Sequence, residues 1–187
     1  MKRPRGRPPR AQAPVSRDEM VVAALELLDR EGADALTMRA LAERLAINPM
    51  TIHHHFGGRD GLIGAMSDAV YAQVMAPEDG TPIDRIGDLL KAYHAQVLRH
   101  PALTTLIFSR PVVFPQQAER ITNEISALLA EVGLPHQRTK LWRDILVDFT
   151  HGAALATAMS GRHQDRESHE DQGFTMALGE LLMGLNR

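Results

Sequence analysis

Apolar side chains recur every three or four residues along most of the chain, and this spacing predicts amphipathic α-helices. The first helix is expected to begin after Ser16, where Glu19 three residues later completes a capping box, and to end at Gly32. Thr37 and Asn48 are the expected N-caps of the next two helices, and Asp60 is the expected cap of a fourth helix that ends at about residue 75. No segment shows the sustained alternation of a β-strand, so we predict an all-α protein of about nine helices.

A second group of helices is predicted beyond Pro77, where apolar stripes continue to the end of the chain. The last two long helices are expected at residues 137–159 and 173–185. A polar stretch at residues 161–171 separates them and is expected to be a solvated loop. Its His, Asp and Glu side chains make only a weak case for a metal site.

The charges are unevenly distributed, although the net charge of the 187 residues is only −2. Residues 1–17 hold six Lys or Arg and no acidic residue, whereas residues 67–187 hold 11 basic and 15 acidic residues. This asymmetry suggests contact with nucleic acid, and a solvated tail is the alternative. We therefore divide the chain into a flexible basic arm at 1–14, a small helical domain at 15–62 and a larger helical domain at 63–187.

Composition excludes several kinds of chemistry. The chain has no Cys, which excludes disulfides, thiolate metal sites and cysteine nucleophiles. No apolar run approaches the ~20 residues that cross a bilayer. Pro8 and Pro9 follow the basic start where a signal peptide would have its apolar core. We expect a cytoplasmic protein without a membrane partner.

The segment most informative about function is residues 36–62, LTMRALAERLAINPMTIHHHFGGRDGL. Two short predicted helices are joined there by a tight connection at residues 46–48, which is the pattern of a helix-turn-helix. The second helix can lie in a DNA major groove and direct its N-terminal N–H groups toward a phosphate. The residues predicted to contact double-stranded DNA are Arg5, Arg7, Thr37, Arg39, Asn48, Pro49, Met50, Thr51, His53, His54, His55 and Arg59.

Two other interpretations of this segment remain open from its residues alone. Two helices joined by a short turn also occur in ordinary helical bundles that have no role in DNA binding. The consecutive His53, His54 and His55 suggest a metal site. However, successive helical side chains point about 100° apart and cannot converge on one ion, so we predict no metal there.

Several short stretches within residues 16–66 follow one family pattern. They are Arg30-Glu31-Gly32, Leu36-Thr37-Met38-Arg39-Ala40-Leu41-Ala42, Leu45-Ala46-Ile47, Thr51-Ile52-His53-His54-His55-Phe56 and Arg59-Asp60-Gly61-Leu62. Through them the chain resembles the TetR family of bacterial transcriptional repressors. The resemblance implies a helix-turn-helix domain followed by a helical regulatory domain. His53 departs from the pattern, because a Tyr usually stands at that position, although a His can still donate to a phosphate.

The basic arm contains a second short motif. Arg5-Gly6-Arg7-Pro8 resembles the core of an AT-hook, whose arginines lie in a narrow A·T-rich minor groove. TetR-family proteins often begin with such an arm. Its place just before the first helix is expected to let it reach the groove next to the helix-turn-helix.

The resemblance also implies two functions for the larger domain. Its helices are expected to enclose an inducer pocket, and the helices at 137–159 and 173–185 to form a four-helix bundle with a second copy of the chain. Small residues such as Gly152 and Gly179 permit close approach of helices there. The pocket is expected to be mostly apolar, and the alternative for each residue assigned to it is packing in the core. Those residues are Met66, Tyr93, His94, Phe108, Trp142, Phe149 and His151.

Looser matches relate the larger domain to the tetracycline-repressor branch of the family. They are His100-Pro101-Ala102, Arg110-Pro111, Phe149-Thr150-His151-Gly152 and the C-terminal run that contains Phe174, Leu178 and Leu185. Four residues before the Arg-Pro pair, that repressor has a His that binds the magnesium ion of the drug. Leu106 stands there in this chain, so we expect neither a drug–magnesium complex nor a cofactor.

These features together predict a homodimeric repressor rather than an enzyme. It is expected to bind a pseudo-palindromic operator and to be released by a small apolar or aromatic inducer. One alternative is a helical ligand carrier or enzyme without a role in DNA binding. The other is a DNA-binding regulator that responds to no inducer.

Overall fold

The fold consists of α-helices, as the apolar periodicity predicts. The computed structural model describes residues 14–110, 115–160 and 167–186, and within these ranges it contains nine α-helices and no strand. The helices are α1 Arg17–Glu31, α2 Met38–Leu45, α3 Pro49–Phe56, α4 Arg59–Tyr71, α5 Pro82–Arg99, α6 Pro101–Phe108, α7 Gln116–Glu131, α8 His136–Met159 and α9 Glu167–Met183. A 3₁₀ turn, Gly184–Asn186, follows α9.

The first three helices begin where capping chemistry predicts. Ser16 and Glu19 form a reciprocal capping box, and the side chain of Thr37 accepts a hydrogen bond from the Ala40 amide at the start of α2. The turn between α2 and α3 passes through Ala46, which has a left-handed backbone conformation with φ of 53°. Asn48 then caps α3 by accepting a hydrogen bond from the Met50 amide. Helices α2 and α3 and the turn between them therefore form a helix-turn-helix.

Two helix boundaries differ from the sequence prediction. We expected α4 to run from an Asp60 cap to about residue 75, but Gly58 precedes the helix, which ends at Tyr71. Its early end is stabilised by Arg120 of α7, which donates to the carbonyls of Tyr71 and Val74. This partner is distant in sequence and therefore leaves no local signal.

The second difference concerns the polar stretch at 161–171, which we predicted to be a loop. The backbone is already helical from Glu167, six residues before the expected start of the last helix at 173. Polar and acidic residues are common both in loops and in the first turn of a helix, so composition alone did not distinguish the two. The part of the prediction that covers 161–166 lies outside the described residues.

The buried side chains form two clusters that share α4. One cluster joins α1, α2, α3 and the first half of α4, and it also includes Leu103 and Leu106 of α6. The other joins α5, α7, α8 and α9, and Tyr71 at the end of α4 belongs to it. The predicted boundary between residues 62 and 63 thus falls inside a helix that packs in both cores. Within the described ranges, no helix combines the length and apolarity needed to cross a membrane.

Candidate DNA-binding surface and ligand cavity

Helix α3 is anchored through one face. Ile52 and Phe56 lie one turn apart and are both buried in the smaller core. The ring of Phe56 also lies beneath the guanidinium of Arg17, whose carbon is 5.1 Å from the ring centroid. The remaining side chains of the helix are directed toward solvent. These exposed residues are Pro49, Met50, Thr51, His53, His54 and His55.

The residues at the starts of α2 and α3 are exposed but already hold local bonds. Thr37 Oγ1 lies 3.0 Å from the Ala40 amide, and Asn48 Oδ1 lies 2.8 Å from the Met50 amide. Both side chains therefore set the orientation of the helix that follows them. Arg39 extends from α2 with a largely exposed side chain and forms an ion pair of 2.9 Å with Glu43. Exposed pairs of this kind are weak, so Arg39 can exchange its partner for a phosphate at small cost.

Arg59 is only partly exposed, and its side chain bonds to the protein backbone. Its Nη2 donates a hydrogen bond of 2.8 Å to the carbonyl of Ala33, in the connection between α1 and α2. Its Nε is buried and has no hydrogen-bond partner within the described residues. Arg59 therefore joins the start of α4 to that connection, and its predicted contact with DNA stays a prediction. The predicted contacts Arg5 and Arg7 lie outside the described residues.

A cavity of about 330 Å³ lies among helices α4 to α8. Ser67 and Tyr71 line it from α4, Tyr93 from α5, and Thr104 and Phe108 from α6. Further residues close it from the C-terminal end of α6, from α7 and from α8. They are Ile107, Arg110, Pro115, Ala118, Ile121, Thr122, Val147, Asp148 and His151.

The structure places three of the seven predicted pocket residues at this cavity. They are Tyr93, Phe108 and His151. The sequence missed Ser67 and Tyr71, although polar groups four residues apart on an otherwise apolar helix face were a readable signal. Polar groups on a buried face need hydrogen-bond partners, which other side chains, the backbone, water or a ligand can supply.

The other four predicted pocket residues do not line this cavity. Met66 is fully buried in the core of the smaller domain. His94 stacks on Phe174 with ring centroids 3.8 Å apart, and Phe149 stacks on the same ring at 5.5 Å. Trp142 packs beside Gly184, where an added Cβ would lie 3.5 Å from its ring. Each of these side chains packs against other parts of the protein.

The polar groups of the cavity are mostly paired with one another. The Tyr71 hydroxyl lies 3.0 Å from Thr104 Oγ1, and the Tyr93 hydroxyl lies 2.5 Å from Nε2 of His151. Burial lowers the pKa of His151 to about 4, against an opposing effect from the nearby Asp148 carboxylate. Burial also raises the pKa of both tyrosines. At neutral pH the paired groups are therefore uncharged, which suits a ligand without a full charge.

The lowered pKa of His151 predicts how stability depends on pH. The unfolded chain binds a proton at this residue below about pH 6.5, whereas the folded chain does so only near pH 4. The free energy of unfolding should therefore fall as the pH drops through this range, by on the order of 1 kcal/mol per pH unit. Urea unfolding of the wild type and of His151→Gln between pH 7 and pH 4.5 tests this. The variant should show the smaller slope, and equal slopes would contradict the prediction.

The cavity is connected to both ends of α4 by polar contacts. Arg110 at the cavity forms an ion pair with Asp60 in the first turn of α4. Asp68 Oδ1 accepts a hydrogen bond of 3.1 Å from the Gln117 amide at the start of α7. Near the other end, Arg120 of α7 donates to the carbonyl of Val74. A displacement of α6 or α7 by a ligand would thus act directly on the helix that follows α3.

Within the described ranges, no three His, Asp or Glu side chains come together around a point that could hold an ion. Leu106, at the position of the magnesium-binding His of the tetracycline repressor, is buried in the core of the smaller domain.

The helix-turn-helix with its exposed second helix, joined to a helical domain with a cavity, defines a DNA-binding regulator. Residues 21–66 match the model described as bacterial regulatory proteins, tetR family. Residues 75–182 match the tetracycline repressor-like C-terminal domain, which confirms the resemblance seen in the larger domain. The chain belongs to the TetR family of transcriptional regulators.

Individual relatives agree with this assignment. An HTH-type transcriptional regulator of Saccharopolyspora erythraea is 30% identical over 172 residues, which cover 90% of this chain and 69% of the relative. The HTH-type transcriptional repressor DrrR1 of Streptomyces coeruleorubidus is 29% identical over 186 residues, 94% of this chain and 66% of its own length. Among solved structures, the Streptomyces coelicolor TetR family protein ActR in complex with (S)-DNPA superimposes with a TM-score of 0.75. It is 25% identical, and the match covers 93% of this chain and 98% of that one.

Proposed function

We propose that this regulator is a homodimeric repressor that dissociates from its operator when it binds a small, mostly apolar or aromatic inducer. The observation that carries the proposal is the shared helix α4. It follows α3 directly, packs in the smaller core through Ile63 and Met66, and lines the cavity through Ser67 and Tyr71. A ligand that is bound only by a displaced arrangement of α4 would shift the population away from the DNA-binding form.

In the DNA-bound form, each subunit would place α3 in the major groove. Thr51, His53 and His55 are the exposed side chains best suited to base edges and phosphates, while Met50 offers an apolar contact to thymine methyls. The starts of α2 and α3 would lie against the DNA backbone, with Thr37, Asn48 and Pro49 in contact with it. The arm, through Arg5 and Arg7, would enter the adjacent minor groove. A dimer that uses two copies of α3 requires a pseudo-palindromic operator.

The dimer would form through α8 and α9. Exposed apolar side chains follow one another along α8 at Leu141, Ile145 and Met159, and Met176 and Met183 are exposed on α9. A Cβ added at Gly152 or Gly179 would meet no atom within 4 Å, so both positions leave room for another helix. Large exposed apolar residues gathered on one pair of helices are typical of an interface.

The cavity supports this proposal over a regulator without an inducer. A concave space with mostly apolar walls and few polar groups is typical of a small-molecule site. A ligand carrier or enzyme would have no use for the exposed face of α3, and the relatives are named as transcriptional regulators. We accordingly propose a cytoplasmic regulator without catalytic activity or cofactor.

Selection of binding sites from random DNA duplexes at low salt tests the proposal. We expect enrichment of two similar half-sites arranged as an inverted repeat and separated by about one helical turn. The affinity for the selected site should fall steeply as salt increases, because the arm and helix neutralise several phosphates. A protein that enriches no sequence, or a single unrepeated site, would contradict the proposal.

A further inference from the structure

Ser67 is a cavity residue whose hydroxyl has no hydrogen-bond partner among the described residues. Its side chain is fully buried, and its Oγ forms no hydrogen bond within the described part of the chain. A serine within a helix commonly donates to the carbonyl four residues earlier, but Ser67 does not. A buried hydroxyl without a partner is costly, and such groups are rare in folded proteins.

The neighbouring polar groups show why this hydroxyl is distinctive. Tyr71 lies one turn further along α4 and is bonded to Thr104 across the cavity. The Thr122 hydroxyl, which also lines the cavity, donates to the carbonyls of Ala118 and Glu119 on its own helix. Of these hydroxyls, only that of Ser67 forms no hydrogen bond at all within the described residues.

We infer that Ser67 is the specificity-determining residue of the cavity and that the inducer is an aromatic molecule with a hydroxyl or carbonyl oxygen directed at its Oγ. The inference rests on the proposed function and deepens it. Phe108 and Tyr93 supply ring surfaces for the aromatic body, and Phe108 is exposed to the extent of 55% although it lies at the cavity.

The inference predicts which of two related compounds binds more tightly, and the predicted order differs from that expected for hydrophobic binding alone. Naphthalene and 1-naphthol share a two-ring body small enough for a cavity of about 330 Å³, and they differ by one hydroxyl. Water solvates the naphthol better, so without a polar partner the naphthol would bind no more tightly than the hydrocarbon. Because Ser67 can serve as a partner for its hydroxyl, we expect 1-naphthol to bind the wild type about tenfold more tightly than naphthalene does.

Calorimetric titration of the full-length chain with both compounds tests the inference, with Ser67→Ala as the variant. In that variant the naphthol should lose its advantage, with the two affinities within about twofold, while naphthalene still binds. The matched control is Ser126→Ala, which removes a half-buried hydroxyl of α7 that donates to the Thr122 carbonyl and does not line the cavity. It should preserve the tenfold preference.

The melting temperature of the unliganded variants provides a second measurement. Ser67→Ala breaks no hydrogen bond of the protein, so its melting temperature should equal or exceed that of the wild type. A clear decrease would assign Ser67 a structural role and overturn the inference.

The remaining outcomes separate the inference from the proposed function. Equal binding of both compounds by the wild type, or a preference that survives Ser67→Ala, overturns the role of Ser67 but leaves an aromatic inducer in place. If neither compound binds, the inference fails together with the aromatic part of the proposal. Operator selection tests the DNA-binding part independently of both.

Discussion

Replacing Thr51 and His53 of α3 by alanine in the same chain is expected to reduce affinity for the selected operator roughly a thousandfold. Both side chains are exposed on the helix, whereas Ile52 and Phe56 are buried. A lost base contact costs roughly 1 kcal/mol or more, and a symmetric dimer loses each contact twice. Binding to unrelated DNA should change little, since that depends mainly on the charge of the arm.

Fluorescence anisotropy with the selected duplex and with a scrambled duplex measures this loss of specificity. The matched control is Thr105→Ala with His136→Ala, which removes the same side-chain types from exposed positions of α6 and α8. The control should bind like the wild type, and circular dichroism should show that both variants are folded. If the α3 variant retains the specificity of the wild type, α3 is not the helix that reads the DNA sequence.

Replacing Leu141 by aspartate is expected to convert the dimer to a monomer and to abolish high-affinity operator binding. The Leu141 side chain is 57% exposed on α8, on the face that we propose as the interface. The twofold axis would bring two buried carboxylates into that interface without partners, each at a cost of several kcal/mol. We therefore expect the dimer dissociation constant to rise at least a hundredfold, which corresponds to a loss of roughly 3 kcal/mol in the free energy of dimerisation.

Light scattering coupled to gel filtration measures the mass of the variant in solution. The control is Val22→Asp, because Val22 of α1 is 56% exposed and lies away from α8 and α9. It introduces the same charge at an equally exposed apolar position and should remain a dimer. A Leu141→Asp chain that also remains a dimer would place the interface on another surface.

Local signals were sufficient to predict most of the fold. The N-caps at Ser16, Thr37 and Asn48 act through bonds to residues two or three positions away, so the starts of α1, α2 and α3 could be read from neighbouring residues. The end of α4 could not, because it depends on Arg120, which is 49 residues from Tyr71. The same reason applies to Arg59, whose carbonyl partner Ala33 is 26 residues away.

The cavity shows the limit of sequence periodicity most clearly. Periodicity indicates which side of a helix is buried, but it does not indicate whether that side meets another side chain or a space. Met66 and Ser67 are adjacent in the chain and both fully buried, yet Met66 fills the smaller core and Ser67 faces the cavity. Successive helical side chains point about 100° apart, so only the positions of α5 to α8 determine what each one meets.

The sequence by itself determined the helices, the helix-turn-helix, the family and the exposed face of α3, because each of these depends on residues that are close in the chain. Tertiary structure alone decided that Arg59 bonds to Ala33 and that His94 and Phe149 stack on Phe174. It also decided that a cavity remains beside Ser67. These features arise where distant helices meet, and their geometry is set by the packing of whole helices and not by any local pattern.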